Sequence, residues 1–157
     1  MKSRPASIEE RVQRLEDLEE IRQLFTDYGH HLDHANYDAY ANLFAIDGEL
    51  NLGGAGRATG VPAIRTLLEK LLQFRTGTVR HIISSPIVQL NGDQATAEVM
   101  WVMLTACPEG LPAIGMIGHH EDILTKKDGN WKFLRREGHI DIGSLPVGRS
   151  KQPDTSD

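Results

Sequence analysis

Cysteine is almost absent from this chain: Cys107 is the single one among 157 residues, so no intrachain disulfide can form. A basic face is also lacking, because the formal net charge is −5 and no stripe of Lys and Arg is visible. Phosphate binding needs such a face, so we expect no nucleic-acid partner. The chain shows neither the apolar core of a secretory signal nor the roughly 20 apolar residues of a membrane span. These absences predict a cytoplasmic protein with no membrane partner.

What the chain does contain, in its first half, is a series of helix signals. Its composition, 39% hydrophobic and 25% charged, is typical of one globular domain. Ser7 and Glu10 form a capping box, which predicts a long amphipathic helix that ends near His34. Two further helices are predicted with these limits: from Asn36 to Asp47, and from Pro62 to near Phe74.

The second half changes from the helical period of 3.6 to the strand period of 2. A short strand is predicted at 49–52 and four longer ones at 78–90, 94–105, 114–126 and 131–142. Helices followed by an antiparallel meander predict an α+β domain over residues 7–142. In this domain a curved antiparallel sheet and three N-terminal helices form a cone around a pocket. Residues 1–6 and 143–157 are predicted to be flexible ends.

Three segments of the sequence carry a family resemblance: Leu18-Glu19-Glu20-Ile21 through Leu32-Asp33-His34, Arg80-His81, and Asp122 with Asp128-Gly129-Asn130-Trp131. Their order over residues 8–142 resembles the SnoaL-like proteins of the nuclear transport factor 2-like superfamily. That superfamily includes scytalone dehydratase, ketosteroid isomerase and bile-acid 7α-dehydratase. The resemblance implies a cystatin-like α+β barrel with a hydrophobic pocket, and chemistry that needs no cofactor.

The resemblance also implies which residues carry the chemistry. Asp33 matches an aspartate at the end of the first helix of the dehydratases, His81 matches their strand histidine, and Tyr28 matches a tyrosine five residues before the aspartate. The bile-acid dehydratase has an arginine near the end of its last strand, and the corresponding place here, around His139-Ile140-Asp141, has none. Scytalone dehydratase has a second histidine, which falls near His119-His120 in a register that the sequence leaves open.

An aspartate-oriented histidine can take up the α-proton of a carbonyl compound and return it, since its unperturbed pKa lies near neutrality. Asp33 would orient His81, and Tyr28 would bind a substrate oxygen. Each residue also has a structural interpretation: Asp33 as a helix-terminal carboxylate, His81 as a core histidine and Tyr28 as core packing. Tyr28 and Asp33 lie roughly 140° apart around a regular helix, so the cluster requires the helix to end or bend between them.

Other residues are predicted to support this site. We expect His120 and Asp122 to belong to the pocket or to its polar network, with an ion pair of Asp122 to Arg135 or Arg136 as the alternative. Ala95, Ala97 and Val99 alternate along one strand, and the next residues on the same face are expected in the pocket wall: Trp101 and Met103.

Three functions are compatible with this pocket. The first is a lyase, a dehydratase of a small hydrophobic cyclic hydroxy-carbonyl metabolite such as a steroid, polyketide or aromatic-derived compound. The second is an isomerase or cyclase, and the third is a non-catalytic small-molecule-binding module. No metal is expected, because His30 and His34 lack a third ligand. A homodimer or trimer is expected through the outer side of the sheet at Met100, Val102 and Leu104.

Overall fold

The computed structural model describes residues 7–73 and 77–144. Its three helices are α1 (Ile8–Asp33), α2 (Tyr37–Ala41) and α3 (Val61–Leu72). Its seven strands are β1 (Phe44–Asn51), β2 (Arg57–Thr59), β3 (Arg80–Ile83), β4 (Ile87–Asn91), β5 (Gln94–Ala106), β6 (Pro112–Lys127) and β7 (Asn130–Ile142). The predicted flexible segment at 1–6, the tail beyond 144 and the predicted helix end at Phe74 lie outside the described residues.

Helix α1 begins at the predicted capping box. The Ser7 hydroxyl accepts a hydrogen bond from the backbone N–H of Glu10 at 3.1 Å, and the Glu10 carboxylate accepts one from the Ser7 N–H at 2.7 Å. Val12 and Leu15, which belong to the predicted apolar stripe, are nevertheless 46% and 64% exposed. Burial on α1 begins at Ile21, so the first turns of the helix extend past the core.

The seven strands form one curved, unclosed sheet in the order β2-β1-β7-β6-β5-β3, with β4 also pairing with β5. The pairs described are antiparallel except for β1 with β7, which is parallel. The prediction of an antiparallel sheet is wrong for that pair, because β1 and β7 are joined by a long connection and not by a hairpin. Register shifts in the β5–β6 and β6–β7 pairs mark bulges, which bend a sheet.

Two predicted elements have different limits in the structure. Helix α2 ends at Ala41, and Phe44, which was expected in that helix, is the first residue of β1. The strand predicted at 78–90 is interrupted at 84–86, so that β3 and β4 pair separately with β5. Pro86 explains part of this break, because proline has no N–H to donate to a ladder.

The helices pack on the concave face of the sheet and bury one core, whose members include Phe25, Leu50, Ile64, Leu124 and Phe133. The alternation predicted for β5 is confirmed, because Ala95, Ala97, Val99 and Trp101 are all buried. Beyond the core, toward the end of the sheet that carries Trp101, the helices and the sheet enclose a cavity. Within the described ranges, no helix combines the length and apolarity needed to cross a membrane.

Candidate functional site

A cavity of about 210 Å³ opens between α1, α3 and the concave face of the sheet. Its wall is largely apolar and includes Leu32, Leu68, Met103, Met116 and Ile140. Five side chains with polar atoms interrupt that wall: Tyr28, Tyr40, His81, Trp101 and His120. An apolar cavity with a few converging polar groups is the usual form of a small-molecule site. The structure therefore brings together four of the residues that the sequence predicted for the site, with Met103 in the wall.

His81 and Asp33 form a closely bonded pair at the cavity. Asp33 is the last residue of α1, and His81 is the second residue of β3. Nδ1 of His81 lies 2.6 Å from Oδ1 of Asp33, and the His81 backbone N–H donates to the two oxygens of the same carboxylate at 3.2 and 3.0 Å. The side chains are only 11% and 8% exposed. A proton on Nδ1 satisfies this carboxylate and leaves the lone pair of Nε2 for a ligand.

This pair forms because α1 and β3 approach each other closely at Gly29. A Cβ on Gly29 would lie 3.0 Å from Cγ1 of Ile83, so a larger residue would push the two elements apart. Helix α1 continues unbroken to Asp33, which confirms the predicted end near His34, so the end or bend that a direct Tyr28–Asp33 cluster would require is absent. Asp33 reaches the site through His81, whereas Tyr28 lines the cavity directly.

Tyr28 and His120 form the second polar group of the cavity. The Tyr28 Oη lies 3.4 Å from Nε2 of His120, and the two rings meet edge to face with centroids 5.3 Å apart. Burial raises the pKa of Tyr28, so its hydroxyl stays protonated at neutral pH. Burial also lowers the pKa of His120 well below 6.5, and the charge of Arg136 lowers it further. At neutral pH both Tyr28 and His120 are therefore uncharged, and each can still donate a hydrogen bond.

Two buried nitrogen atoms of the cavity wall, Nε1 of Trp101 and Nδ1 of His120, have no hydrogen-bond partner among the described residues. Each ring lies across from a glycine on the neighbouring strand, Gly118 for Trp101 and Gly138 for His120. A Cβ on Gly118 would lie 2.7 Å from Cε2 of Trp101, and one on Gly138 would lie 3.3 Å from Cδ2 of His120. Because buried polar atoms are normally bonded, these two nitrogens are natural contacts for a ligand.

Asp122 and Arg136 form a fully buried ion pair beneath Tyr28 and do not line the cavity. Arg136 donates from Nε at 2.7 Å and from Nη2 at 3.0 Å to the two carboxylate oxygens. Its guanidinium carbon lies 4.2 Å from the centre of the Tyr28 ring and 3.9 Å from that of Phe133. Burial would lower the pKa of Arg136, but Asp122 outweighs it and raises that pKa. Burial raises the pKa of Asp122 against the effect of Arg136. Asp122 therefore supports the cavity from below without lining it, and of the two predicted ion-pair partners, Arg135 and Arg136, it binds Arg136.

Arg136 was predicted only as one of two possible partners of Asp122, and the arginine of the bile-acid dehydratase was expected near residues 139–141. Phe133 is buried, so strict alternation along β7 would turn Arg135 inward and Arg136 outward. Leu134 has no partner on β6, because the pairing shifts between Phe133 and Arg135. This bulge reverses the alternation and brings Arg136 inside. The sequence signal that points to Arg136 is Asp122, because a carboxylate that faces the interior needs a cation nearby.

Strand β6 settles the open register of its two histidines. His120 is buried in the cavity wall, and His119 lies on the opposite face of the sheet. His30 and His34 are exposed near the end of α1, where their rings pack on each other with centroids 4.3 Å apart. The second histidine of the cavity is therefore His120.

The chain is similar to one family and to several solved structures. The model of the SnoaL-like domain matches residues 13–137. An NTF2-like protein with a cystatin-like fold from Novosphingobium aromaticivorans superposes with a TM-score of 0.77 at 29% identity, covering 85% of this chain and 88% of that one. A candidate scytalone dehydratase from the same bacterium has a TM-score of 0.71 at 25% identity, covering 88% and 97%.

A more distant structure shares the fold alone. It is the β subunit of a candidate aromatic-ring-hydroxylating dioxygenase from N. aromaticivorans, with a TM-score of 0.72 at 18% identity and coverage of 87% and 95%. No curated protein matches this chain. Together with the helices and sheet described above, these similarities confirm the predicted α+β fold.

Proposed function

Because this chain belongs to the SnoaL-like domain family, we propose that it is a cofactor-independent dehydratase. Such a lyase removes water from a small hydrophobic cyclic hydroxy-carbonyl compound by general acid–base catalysis. The observation that carries the proposal is the His81–Asp33 pair, whose imidazole lines an otherwise largely apolar cavity. The similarity to a candidate scytalone dehydratase supports the same reaction class.

In the proposed reaction, His81 moves the proton. Its Nε2 takes the proton from the carbon next to the substrate carbonyl, and the electrons of that C–H bond form an enolate. Asp33, bonded to Nδ1, stabilises the imidazolium that results. The enolate electrons then form the C=C bond as the C–O bond of the hydroxyl group breaks, and Nε2 returns its proton to the departing oxygen. One water leaves, and His81 is again neutral.

Tyr28 is proposed to bind the substrate carbonyl as negative charge develops on its oxygen. Its hydroxyl is protonated at neutral pH because burial raises its pKa, and its 3.4 Å contact with His120 is long for an O–H donor. The hydroxyl is therefore free to turn toward a ligand. The unpartnered nitrogens of Trp101 and His120 would donate to other substrate oxygens. Asp122 and Arg136 act from below, by holding the Tyr28 ring in place.

The size of the cavity narrows the substrate class. At about 210 Å³ it is smaller than the roughly 300–1,000 Å³ of pockets for drug-sized ligands. One or two fused rings fit this volume better than the four rings of a steroid. We therefore favour an aromatic-derived or small polyketide compound among the predicted substrate types.

A panel of cyclic β-hydroxy ketones tests the reaction directly. We expect the protein to produce a compound lighter by one water, detected by mass spectrometry. Asp33→Asn and His81→Ala should lower kcat/KM by roughly 10²- to 10⁴-fold, since each removes part of the acid–base pair. Thermal melting should stay near that of the wild type for Asp33→Asn, which keeps the shape of the side chain.

Two residues on α1 provide matched controls for these variants. Asp27 accepts a hydrogen bond from Gln23 on the exposed surface, and His30 is also exposed. Asp27→Asn and His30→Ala should leave turnover unchanged. Wild-type rates in both Asp33→Asn and His81→Ala, on a substrate that the protein does convert, would rule out the proposed pair.

The alternative function is an isomerase or cyclase that uses the same pair. What favours it is the presence of two imidazoles in one cavity wall, His81 and His120, since a proton taken at one carbon could be delivered to another. The panel separates the two reactions, because an isomerase gives a product of unchanged mass with a moved double bond. Saturable binding of the panel compounds with no product would identify a binding module instead.

We also propose that the outer face of the sheet joins two copies of this chain. Ile82 pairs in register with Val102, and Leu104 pairs with Ile114, so apolar side chains lie side by side on that face. Ile82, Met100 and Ile114 are 56%, 54% and 65% exposed in the single chain. A symmetric dimer would cover this patch with its own copy. Light scattering should give a dimer mass, and Val102→Glu should give a monomer; a wild-type monomer would refute the pairing.

A further inference from the structure

The outer face of β6 and β7 carries a second group of histidines, away from the cavity. His119 and His139 are directly paired residues of the two strands, and their rings stack with centroids 4.7 Å apart and an interplanar angle of 15°. Glu121, two residues beyond His119, lies on the same face. One ligand atom from each of these three residues lies within 4.8 Å of the other two. Two regular strands thus hold three metal-ligating groups together.

Asp141 orients one of these histidines. Nδ1 of His119 lies 2.8 and 2.9 Å from the two carboxylate oxygens of Asp141. The β6–β7 pairing shifts between Ile140 and Ile142, so Asp141 has no partner on β6 and occupies a bulge, a feature that redirects a side chain. With its Nδ1 proton donated to this carboxylate, His119 keeps the lone pair on Nε2. Metal-binding histidines are commonly held by a carboxylate in this way.

We propose that His119, Glu121 and His139 bind a divalent cation of the zinc class, with Asp141 positioning His119. Two imidazoles and one carboxylate are the ligands that Zn²⁺ accepts readily, whereas Ca²⁺ and Mg²⁺ prefer sets of oxygen atoms. Three protein ligands leave a fourth position for water. The site lies on the face of the sheet opposite the cavity, so it does not depend on the proposed dehydratase activity.

Small side-chain movements complete this site. Zinc–ligand bonds of roughly 2.0–2.2 Å place neighbouring ligand atoms about 3.3 Å apart in a tetrahedron, compared with the present spread of up to 4.8 Å. Glu121 and His139 are exposed and His119 is partly exposed, so their side chains can rotate without disturbing the core. The strand backbones already fix the spacing of the three Cα atoms, so binding loses only side-chain conformational entropy.

Titration of the full chain with ZnCl₂ by calorimetry tests the proposal. We expect one saturable site, and we expect His139→Ala and Glu121→Gln each to weaken binding at least tenfold. Asp141→Asn should weaken binding by about 10- to 100-fold, as loss of a carboxylate that orients a ligand usually does. The matched control is His34→Ala, because His30 and His34 form another close histidine pair, on a different element. That variant should bind zinc with unchanged affinity.

A measurement without variants gives an independent check. Substoichiometric Cu²⁺, which binds the same ligand types, should broaden amide NMR signals of β6 and β7 around His119 and His139. Broadening centred on the end of α1 or on β3 would overturn the proposal. So would the absence of saturable zinc binding, or loss of binding in His34→Ala or His81→Ala with binding retained in His139→Ala.

Discussion

The two faces of the β6–β7 pair carry the same residue types in opposite surroundings. Three neighbouring positions form matched pairs: His120, Asp122 and Arg136 inside, and His119, Glu121 and Arg135 outside. Inside, burial lowers the pKa of His120 and raises that of Asp122, whereas Asp122 raises the pKa of Arg136 against the effect of burial, so that the charges occur as a bidentate ion pair. Outside, water and salt screen the charges. Burial, more than residue type, therefore separates the proposed catalytic cavity from the proposed metal site.

The largest difference between the two faces is expected for their arginines. Arg136→Ala would leave Asp122 as an unpaired buried carboxylate, which costs about 3–5 kcal/mol of stability. Arg135 pairs with Glu137 on the exposed face, and loss of such a pair costs about 0–1 kcal/mol. Urea unfolding at neutral pH measures both variants. Equal losses in Arg136→Ala and Arg135→Ala would contradict the difference in burial.

A smaller loss of stability is expected when a side chain is added at Gly118, a glycine on the inner face of β6. The Cβ of Gly118→Ala would collide with the backbone oxygen of His139 and would lie 2.7 Å from Cε2 of Trp101. Overpacking of this kind costs about 1–3 kcal/mol, and it would also move the indole ring in the cavity wall. His119→Ala, at the next residue but on the outer face, should change stability by only about 0.5 kcal/mol. The melting temperatures of the two variants measure this difference. An unchanged melting temperature for Gly118→Ala would contradict the close packing.

Much of the fold could be predicted from the sequence because its signals are local. The capping box of Ser7 and the alternation from Ala95 to Met103 are determined by neighbouring residues, and both are present in the structure. The parallel pairing of β1 with β7 could not be predicted in this way, because it depends on how distant segments assemble.

The site was predictable only in part, for a similar reason. Tyr28 and His81, which the resemblance implies, line one cavity together with His120, and Asp33 contacts His81. The contact of Asp33 with His81 depends on the close approach of α1 to β3 at Gly29. The periodicity of α1 alone does not predict that approach, because it involves a strand about 50 residues further along the chain. The sequence left Arg135 and Arg136 as equal partners for Asp122, because a bulge at Leu134 reverses the alternation of β7 and has no local mark in the sequence.

The smallest expected effect concerns His120, the buried histidine of β6, and depends on pH. Burial holds the pKa of His120 well below 6.5 in the folded protein, whereas the unfolded chain titrates this residue near about 6.5. Below that pH the unfolded chain binds a proton that the folded chain does not, so stability falls as the pH falls, by up to roughly 1.4 kcal/mol per pH unit. His120→Gln removes this contribution and should flatten the decline in urea-unfolding free energy between about pH 6.5 and 5. An identical slope for the wild type and His120→Gln would contradict a buried neutral His120.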